Sequence, residues 1–300
     1  MNDPELDNLL TALRAGGPDF TAPPLVVREG FEQMLATMPV AGDIVFERTD
    51  LGGVPTLRAA TPTAVKGRAL LYMHGGAYVV GSAQGYRGLA AELGRATGAT
   101  AYAIDYRLAP EHVFPAALDD AVLAYRGLIE RGYDPRNIVI AGDSAGGGLA
   151  LALLVALRDA GLGQAAAALL ISPWVDLGCS GGTITSKAAE DPSLTGEGLR
   201  AMAGHYLGSA RADDPRASPL FADLAGLAPI LIQVGSSEIL LDDSVRVAGA
   251  AGAAGTAVQL EIWPRMVHVW HAFAFMLGAG QRAIAAGGAF LRRRIEESNR

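Results

Sequence analysis

The first hydrophobic positions along the chain follow a helical period. Leucines at positions 6, 9, 10 and 13 fall on one face of a helix, which Asp3 can cap and Pro4 can begin. A second apolar stripe with helical spacing precedes Pro39 and consists of Phe31, Met34, Leu35 and Met38. Two short helices are therefore predicted within residues 1–42, and they stand apart from the pattern that follows.

From residue 43 the pattern alternates between strands and helices. Eight strands are predicted, near residues 43–49, 54–59, 69–73, 100–105, 137–142, 166–172, 230–235 and 257–263. Helices are predicted near residues 86–97, 115–131, 145–159, 242–254 and 279–297. Strands that are separated by helices are expected to pair in parallel through right-handed crossovers, whereas residues 51–53 are short enough for a hairpin. The alternation predicts an α/β fold with an eight-stranded, mostly parallel sheet flanked by helices.

Two features of the pattern refine this architecture. The uninterrupted apolar runs at 138–141, 168–171 and 230–234 are typical of central strands that are buried on both faces. Residues 178–226 contain no clear strand, which predicts an insertion with a helix near residues 197–208.

Composition and charge exclude several classes of protein. A chain of 300 residues that is 50% hydrophobic and 18% charged is not a disordered polymer. The net charge of −7, without a long basic run, argues against a nucleic-acid partner. The single cysteine, Cys179, excludes an internal disulfide and a cysteine-based metal site. Because no secretory signal and no membrane span is recognisable, we expect a cytoplasmic protein, with a homodimer left open.

A nucleophile motif lies where a buried strand meets a helix. Residues 142–146, Gly-Asp-Ser-Ala-Gly, match Gly-x-Ser-x-Gly and centre on Ser144, between the strand pattern at 137–142 and an apolar helix pattern at 148–157. A chain with 38 glycines also produces chance matches, and residues 178–182 match around Ser180. No helix is predicted to start there. We therefore interpret Ser144 as the nucleophile and Ser180 as a turn residue.

Backbone donors for an oxyanion are expected from two loops. The turn that presents Ser144 supplies the N–H of Ala145. The strand at 69–73 runs into His74, Gly75 and Gly76, and glycines after a strand let backbone N–H groups point into a site. Gly75 and Gly76 are therefore predicted as the remaining donors, and His74 as an anchor of the loop.

Together these motifs resemble the hormone-sensitive-lipase-like branch of the α/β-hydrolase carboxylesterases. The resemblance spans about residues 44–276 and rests on ordered motifs at 74–78, 106–111, 142–147, 172–176, 218–220 and 234–243. Two positions depart from it, since Ala77 stands where many members have a third glycine and Gly148 where many have asparagine. The resemblance implies an α/β-hydrolase fold, with a catalytic domain over residues 43–300 and a helical cap built from residues 1–42 and part of 178–226.

The base and its orienting acid are expected after the nucleophile, because this fold orders its triad as serine, acid, histidine. His268 follows the last predicted strand, and the family's Met-x-His pattern falls on it. His271 is the alternative base, while His205 lies in the insertion. The family's usual aspartate maps onto Glu238, directly after the strand at 230–235. Asp242 and Asp243 are the alternative acids, although they stand where a helix begins.

These observations predict a carboxylic ester hydrolase that works through an acyl-enzyme on the triad Ser144, Glu238 and His268. The resemblance implies a small-molecule ester with a short-to-medium acyl chain, and no metal or organic cofactor is required. It also favours the stripe of Phe31, Met34, Leu35 and Met38 as the underside of a lid that faces the acyl group, with plain core packing as the alternative. Phe31, Met34 and Leu35 are the predicted substrate-binding residues. A deacetylase or amidase with the same triad, and a non-catalytic relative that binds a small molecule, are the alternative functions.

Overall fold

Eight strands form one sheet in the order β1-β2-β4-β3-β5-β6-β7-β8, in a computed structural model that describes residues 3–300. The strands are β1 Val45–Leu51, β2 Val54–Ala60, β3 Ala69–Met73, β4 Thr100–Ile104, β5 Ile138–Asp143, β6 Ala167–Ile171, β7 Ile230–Gly235 and β8 Val258–Trp263. Strands β3 to β8 pair in parallel, whereas β2 is antiparallel to both β1 and β4. The predicted fold class and all eight strands are confirmed.

The antiparallel hairpin depends on two glycines. Leu51 pairs with Val54 across the turn, and Gly52 and Gly53 have φ angles of +61° and +88°. A two-residue turn whose central residues both have positive φ matches the right-handed twist of the strands, and glycine adopts that conformation without a Cβ clash. The turn thus sets the register of β1 against β2.

Helices flank the sheet, and six of them were predicted to within one residue at each end. The helices are α1 Pro4–Ala15, α2 Pro24–Ala36, α3 Arg87–Thr97, α4 Ala116–Glu130, α5 Ala145–Asp159, α6 Thr183–Ser186, α7 Gly196–Leu207, α8 Leu241–Ala253 and α9 Gly278–Ser298. Along the sheet, α3 packs against α9 and α4 packs against α5. The short helix α6 was not predicted, since four residues carry no period.

The two helices at the start of the chain lie within the segment 1–42. Asp3 Oδ1 accepts the N–H of Leu6 over 3.2 Å, as predicted for a helix cap. Residues 1 and 2 of the predicted cap segment lie outside the described residues. Helix α2 ends at Ala36, so that Met38, which the period assigns to the helical stripe, lies beyond its end.

The parallel strands bring distant parts of the chain to one edge of the sheet. Strands β5, β6 and β7 are completely buried, as their apolar runs predict, and β3 is completely buried as well. Their register pairs Met73 with Gly142, Asp143 with Ile171 and Gly235 with Trp263. The loops that follow these strands therefore meet at their carboxyl ends, where open α/β sheets bind ligands. Within residues 3–300, no helix has both the length and the apolar character that crossing a bilayer requires.

Candidate active site

Ser144 occupies a strained turn between β5 and α5. Its φ of +55° and ψ of −122° lie outside the regions that L residues ordinarily adopt. The N–H of Ser144 donates to the carbonyl of Ile171 over 2.8 Å, and its carbonyl accepts the N–H of Trp174 over 2.9 Å. These backbone bonds to the end of β6 and the loop after it hold the strained conformation.

The glycines beside Ser144 are required because backbone approaches them closely. A Cβ at Gly142 would lie 2.1 Å from the carbonyl oxygen of Gly146, and one at Gly146 would lie 2.1 Å from that of Met73. Neither contact is possible for a real side chain, so the turn that exposes Ser144 needs both glycines. Ala145 is the first residue of α5, a position where a helix leaves the N–H without an intrahelical partner.

The second serine motif has a different environment. Ser180 Oγ donates to Asp176 Oδ2 over 2.5 Å and accepts from Arg246 Nη1 over 3.1 Å. Asp176 and Arg246 also form an ion pair of 2.9 Å. Ser180 thus belongs to a polar network on the loop after β6, as its interpretation as a turn residue implies.

Glu238 and His268, predicted from different loops, are brought together. Glu238 Oε2 lies 2.9 Å from His268 Nδ1, and Glu238 is fully buried. Its other oxygen, Oε1, accepts the hydroxyl of Ser172 over 2.7 Å and the N–H of Gly235 over 2.6 Å. Three donors therefore surround this buried carboxylate, and they hold it in one orientation toward the imidazole.

The electrostatics of the pair follow from its burial. Burial raises the pKa of Glu238 above its ordinary value, although the hydrogen bond with His268 and the other donors oppose that shift. For His268, burial acts to lower the pKa, but the hydrogen bond and the negative charge of Glu238 outweigh it and raise the pKa. The carboxylate thus favours the protonated form of the imidazole.

Ser172 contacts both sides of this pair, and the sequence interpretation did not single it out as a site residue. Besides donating to Glu238, its Oγ accepts the N–H of Val269, the neighbour of His268, over 3.2 Å. Ser172 follows β6 directly and has a φ of +45°. The available signal was the Ser-Pro-Trp-Val-Asp motif at residues 172–176, which begins with this serine.

The alternative base makes contacts of another kind. His271 Nε2 lies 2.9 Å from Gln233 Oε1, and His271 is buried. Burial lowers the pKa of His271 to about 3, so it stays neutral throughout the working range of pH. His205 lies on α7, in the insertion.

The alternative acids hold a loop. Asp242 Oδ2 accepts the N–H of Gly182 over 2.8 Å. Asp243 Oδ2 accepts the N–H groups of Val175 and Asp176, each over 3.0 Å. Both carboxylates therefore fasten the segment that follows β6, whereas Glu238 contacts the imidazole.

The loop after β3 departs from the prediction at Gly75. The N–H of Gly75 donates to Asp143 Oδ1 over 3.0 Å, and the same oxygen accepts the hydroxyl of Tyr72 over 2.5 Å. This bond occupies the N–H that Gly75 was predicted to offer to an oxyanion, and the prediction is corrected accordingly. A Cβ at Gly75 would also lie 2.3 Å from Asp143 Oδ2, so the glycine is needed for packing. Burial raises the pKa of Asp143 to about 6, against the hydrogen bonds that lower it.

The next two residues of this loop, Gly76 and Ala77, line the same cavity as Ser144. Both have positive φ, +111° for Gly76 and +53° for Ala77. A Cβ at Gly76 would lie 2.2 Å from the carbonyl oxygen of Val80, so this position accepts only glycine. His74 anchors the loop as expected, because its ring stacks on Tyr106 with centroids 4.3 Å apart and its Nδ1 lies 2.7 Å from the carbonyl oxygen of Gly75.

One cavity gathers most of these residues. Ser144, His268, Gly76 and Ala77 line it. So do all four residues of the predicted lid stripe, Phe31, Met34, Leu35 and Met38. Its wall also includes apolar residues that the sequence did not single out: Phe20, Leu194, Leu199 and Phe273. Apolar side chains from α2 and from the insertion thus face the nucleophile.

Helix α2 is held at this cavity by Arg28. Its Nε donates to the carbonyl of Val79 over 2.7 Å and its Nη2 to that of Ala109 over 2.6 Å. Nη2 also lies 2.6 Å from Glu111 Oε2. Val79 belongs to the same loop as Gly76 and Ala77, so one guanidinium couples the apolar wall of α2 to the glycine loop.

Comparisons with known proteins agree with this architecture. A family model described as alpha/beta hydrolase fold matches residues 70–272. An acetyl-hydrolase of Streptomyces hygroscopicus is 52% identical over 231 residues, which cover 77% of each chain. An esterase of Acinetobacter venetianus is 37% identical over 217 residues, or 72% of each chain.

A solved structure adds a match over nearly the whole chain. An esterase from the bacterial hormone-sensitive lipase family superposes with a TM-score of 0.95 at 44% identity, and the match covers 98% of this chain and 99% of that one. The fold, the motifs and these relatives point to one conclusion. The chain belongs to the α/β-hydrolase family and is a carboxylesterase of its hormone-sensitive-lipase-like branch.

Proposed function

We propose that this carboxylesterase hydrolyses esters of short-to-medium acyl chains with Ser144 as nucleophile, His268 as general base and Glu238 as the acid that orients it. The observation that carries the proposal is the buried Glu238–His268 pair, 2.9 Å apart, whose imidazole lines the same cavity as the strained Ser144. A serine is a weak nucleophile unless a positioned base removes its proton, and such a base needs a third group to fix its orientation.

Acylation and deacylation use the same imidazole. As Ser144 Oγ attacks the ester carbon, His268 Nε2 takes the hydroxyl proton, while Nδ1 keeps its proton on the bond to Glu238. The tetrahedral intermediate then expels the alcohol, which takes the proton from Nε2, and an acyl-serine remains. In deacylation His268 takes a proton from water, the hydroxide attacks the acyl carbon, and the proton returns to Ser144 as the carboxylic acid leaves.

The oxyanion of each tetrahedral intermediate binds to the N–H groups of Gly76, Ala77 and Ala145. Gly76 and Ala77 line the cavity and Ala145 begins α5, so these three donors surround the nucleophile from two loops. Ala77 takes the place of Gly75, whose N–H is bound to Asp143. An alanine serves as well as a glycine here, because the donor is the backbone. Donors fixed in advance are usually the largest single contribution to such catalysis.

Residues 1–42 and part of 178–226 form the cap of this site. Phe31, Met34 and Leu35 from the first segment contact the acyl group, and Leu194 and Leu199 from the second line the same cavity. The small volume of the catalytic cavity, about 90 Å³, supports a short acyl group next to Ser144. The relative from Streptomyces, an acetyl-hydrolase, supports the same preference.

The test measures hydrolysis of nitrophenyl esters of increasing acyl length, beside a nitroanilide, by the wild type and by Ser144→Ala. We expect the wild type to hydrolyse the acetate and butyrate esters with an initial burst of nitrophenol. We also expect the acyl group to increase the mass of the peptide that contains Ser144. Ser180→Ala is the matched control, since it removes a serine from the same motif outside the cavity. If Ser144→Ala hydrolyses the esters at the wild-type rate, the proposal is wrong. If the wild type cleaves the anilide faster than the ester, the amidase alternative is favoured.

A further inference from the structure

A second cavity lies directly beside the catalytic one. It occupies about 580 Å³ between the end of α2, α3 and α9, against about 90 Å³ for the cavity at Ser144. Apolar residues dominate its wall, among them Val40, Leu89, Phe275 and Ile284. A volume of this size and a wall of this character are typical of small-molecule pockets.

The charged side chains that line the second cavity are already paired. Glu92 and Arg95 form an ion pair of 3.2 Å with each other, and Arg95 also contacts Asp43 at 2.6 Å. His271, which lines the cavity as well, is neutral because burial lowers its pKa to about 3. The cavity thus offers no unpaired charge to a ligand, and an apolar occupant fits it best.

The two cavities are separated by a thin partition. Four residues line both of them: Leu35, Met38, Tyr86 and Ala272. Leu35 is buried and packs so closely on Gly85 that a Cβ there would lie 2.5 Å from Leu35 Cδ1. Met38 differs, because it lies beyond the end of α2, is only partly buried, and has an unbranched side chain with three rotatable bonds. Rotation of Met38 is therefore the movement that joins the cavities with the least disturbance.

We infer that the second cavity receives the distal part of the substrate's own acyl chain, and that Met38 is the residue that determines acyl-chain length. The inference rests on the proposed function, since the chain must be attached to the carbonyl that Ser144 attacks. Short acyl groups occupy only the catalytic cavity, whereas longer ones displace Met38 and bury their last methylenes against α3 and α9. Each buried methylene is worth about fourfold in kcat/KM by its transfer free energy.

The test introduces a large side chain into the second cavity from α9, on the side away from Ser144. Ala285 is an exposed residue of α9 that lines only this cavity, and Ala289, one helical turn later, is exposed and lines neither. With nitrophenyl decanoate, Ala285→Trp is expected to lower kcat/KM roughly fifteenfold, which corresponds to the lost burial of about two methylenes. Ala285→Trp is expected to hydrolyse nitrophenyl acetate as the wild type does. Ala289→Trp is expected to match the wild type with both esters. Met38→Ala, which widens the opening, is expected to raise the ratio of decanoate to acetate turnover.

Two results would overturn the inference while leaving the proposed function intact. In the first, the wild type hydrolyses nitrophenyl acetate, but neither Ala285→Trp nor Met38→Ala changes the ratio of kcat/KM for the decanoate to kcat/KM for the acetate. In the second, Ala289→Trp loses as much decanoate turnover as Ala285→Trp does, although both variants keep the thermal midpoint of the wild type. Failure of the proposed function looks different, since Ser144→Ala would then retain activity toward both esters.

Discussion

The hydroxyl of Ser172 lies 2.7 Å from Glu238 Oε1, and this bond links the loop after β6 to the acid of the candidate triad. Ser172 Oγ in turn accepts the N–H of Val269, next to His268. Ser172 therefore contacts both Glu238 and the segment that carries His268, and we expect it to position the pair.

Replacement of this hydroxyl is expected to impair catalysis more than folding. Ser172→Ala leaves Glu238 with fewer donors and Val269 with an unpaired N–H, so kcat should fall about tenfold, or ~1.4 kcal/mol in the barrier. Initial rates with saturating nitrophenyl acetate measure the effect. Ser244→Ala is the matched control, because Ser244 is fully buried and its Oγ has no hydrogen-bond partner among residues 3–300. Equal kcat values for the two variants would contradict the positioning role.

The assignment of the acid rests on a contrast between neighbouring carboxylates. Glu238→Gln keeps the shape of the side chain but removes its charge, so kcat should fall about 10²- to 10⁴-fold, as expected when an imidazole loses its orienting carboxylate. Asp242→Asn removes a carboxylate that holds the N–H of Gly182, and it should change kcat less than about twofold, or ~0.4 kcal/mol. Burst and steady-state rates of both variants show which carboxylate is the acid of the triad. A larger loss in Asp242→Asn would transfer the role to Asp242.

The pH dependence of the enzyme should report His268. The base must be neutral to accept the proton of Ser144, and Glu238 raises its pKa above the ordinary value of 6.5. In the wild type, kcat/KM is therefore expected to fall as pH decreases through a value above 6.5. Glu238→Gln leaves the burial of the imidazole but removes the charge that favours its protonation. Its residual activity should accordingly persist to lower pH, and an unchanged acid limb would show that another group titrates there.

Arg28 is expected to stabilise the site mainly through its hydrogen bonds to backbone carbonyls and less through its ion pair with Glu111. Arg28→Ala deprives Val79 and Ala109 of a donor, so we expect a raised KM and a thermal midpoint lower by about 2–4 °C. Glu111→Gln removes only the charge of a side chain that is 48% exposed. An exposed ion pair is worth about 0–1 kcal/mol, so this variant should differ little from the wild type. Thermal melts and substrate saturation curves compare the two, and equal effects would assign the role to the ion pair.

Much of the fold is a local property of the sequence and was predictable from it. The strands and most helices follow from apolar periods of two and 3.6 residues within short windows. Ser144 was recognisable because its motif, the preceding strand and the following helix are contiguous. Glu238 and His268 could be assigned through the order of the loops after parallel strands, since those loops meet at one edge of the sheet.

The remaining features depend on contacts between residues far apart in the chain. Gly75 and Ala77 are indistinguishable as donors until the sheet pairs β3 with β5 and brings Asp143 to the N–H of Gly75. Arg28 reaches Val79 across 51 positions, and no local period encodes such a bond. The sequence by itself thus determined the elements and the chemistry of the nucleophile, through short-range periodicity and steric limits on the backbone. The tertiary structure alone decided which N–H groups stay free, what holds Glu238 and where the cavities lie, because hydrogen bonds and packing between distant segments exist only once the sheet has formed.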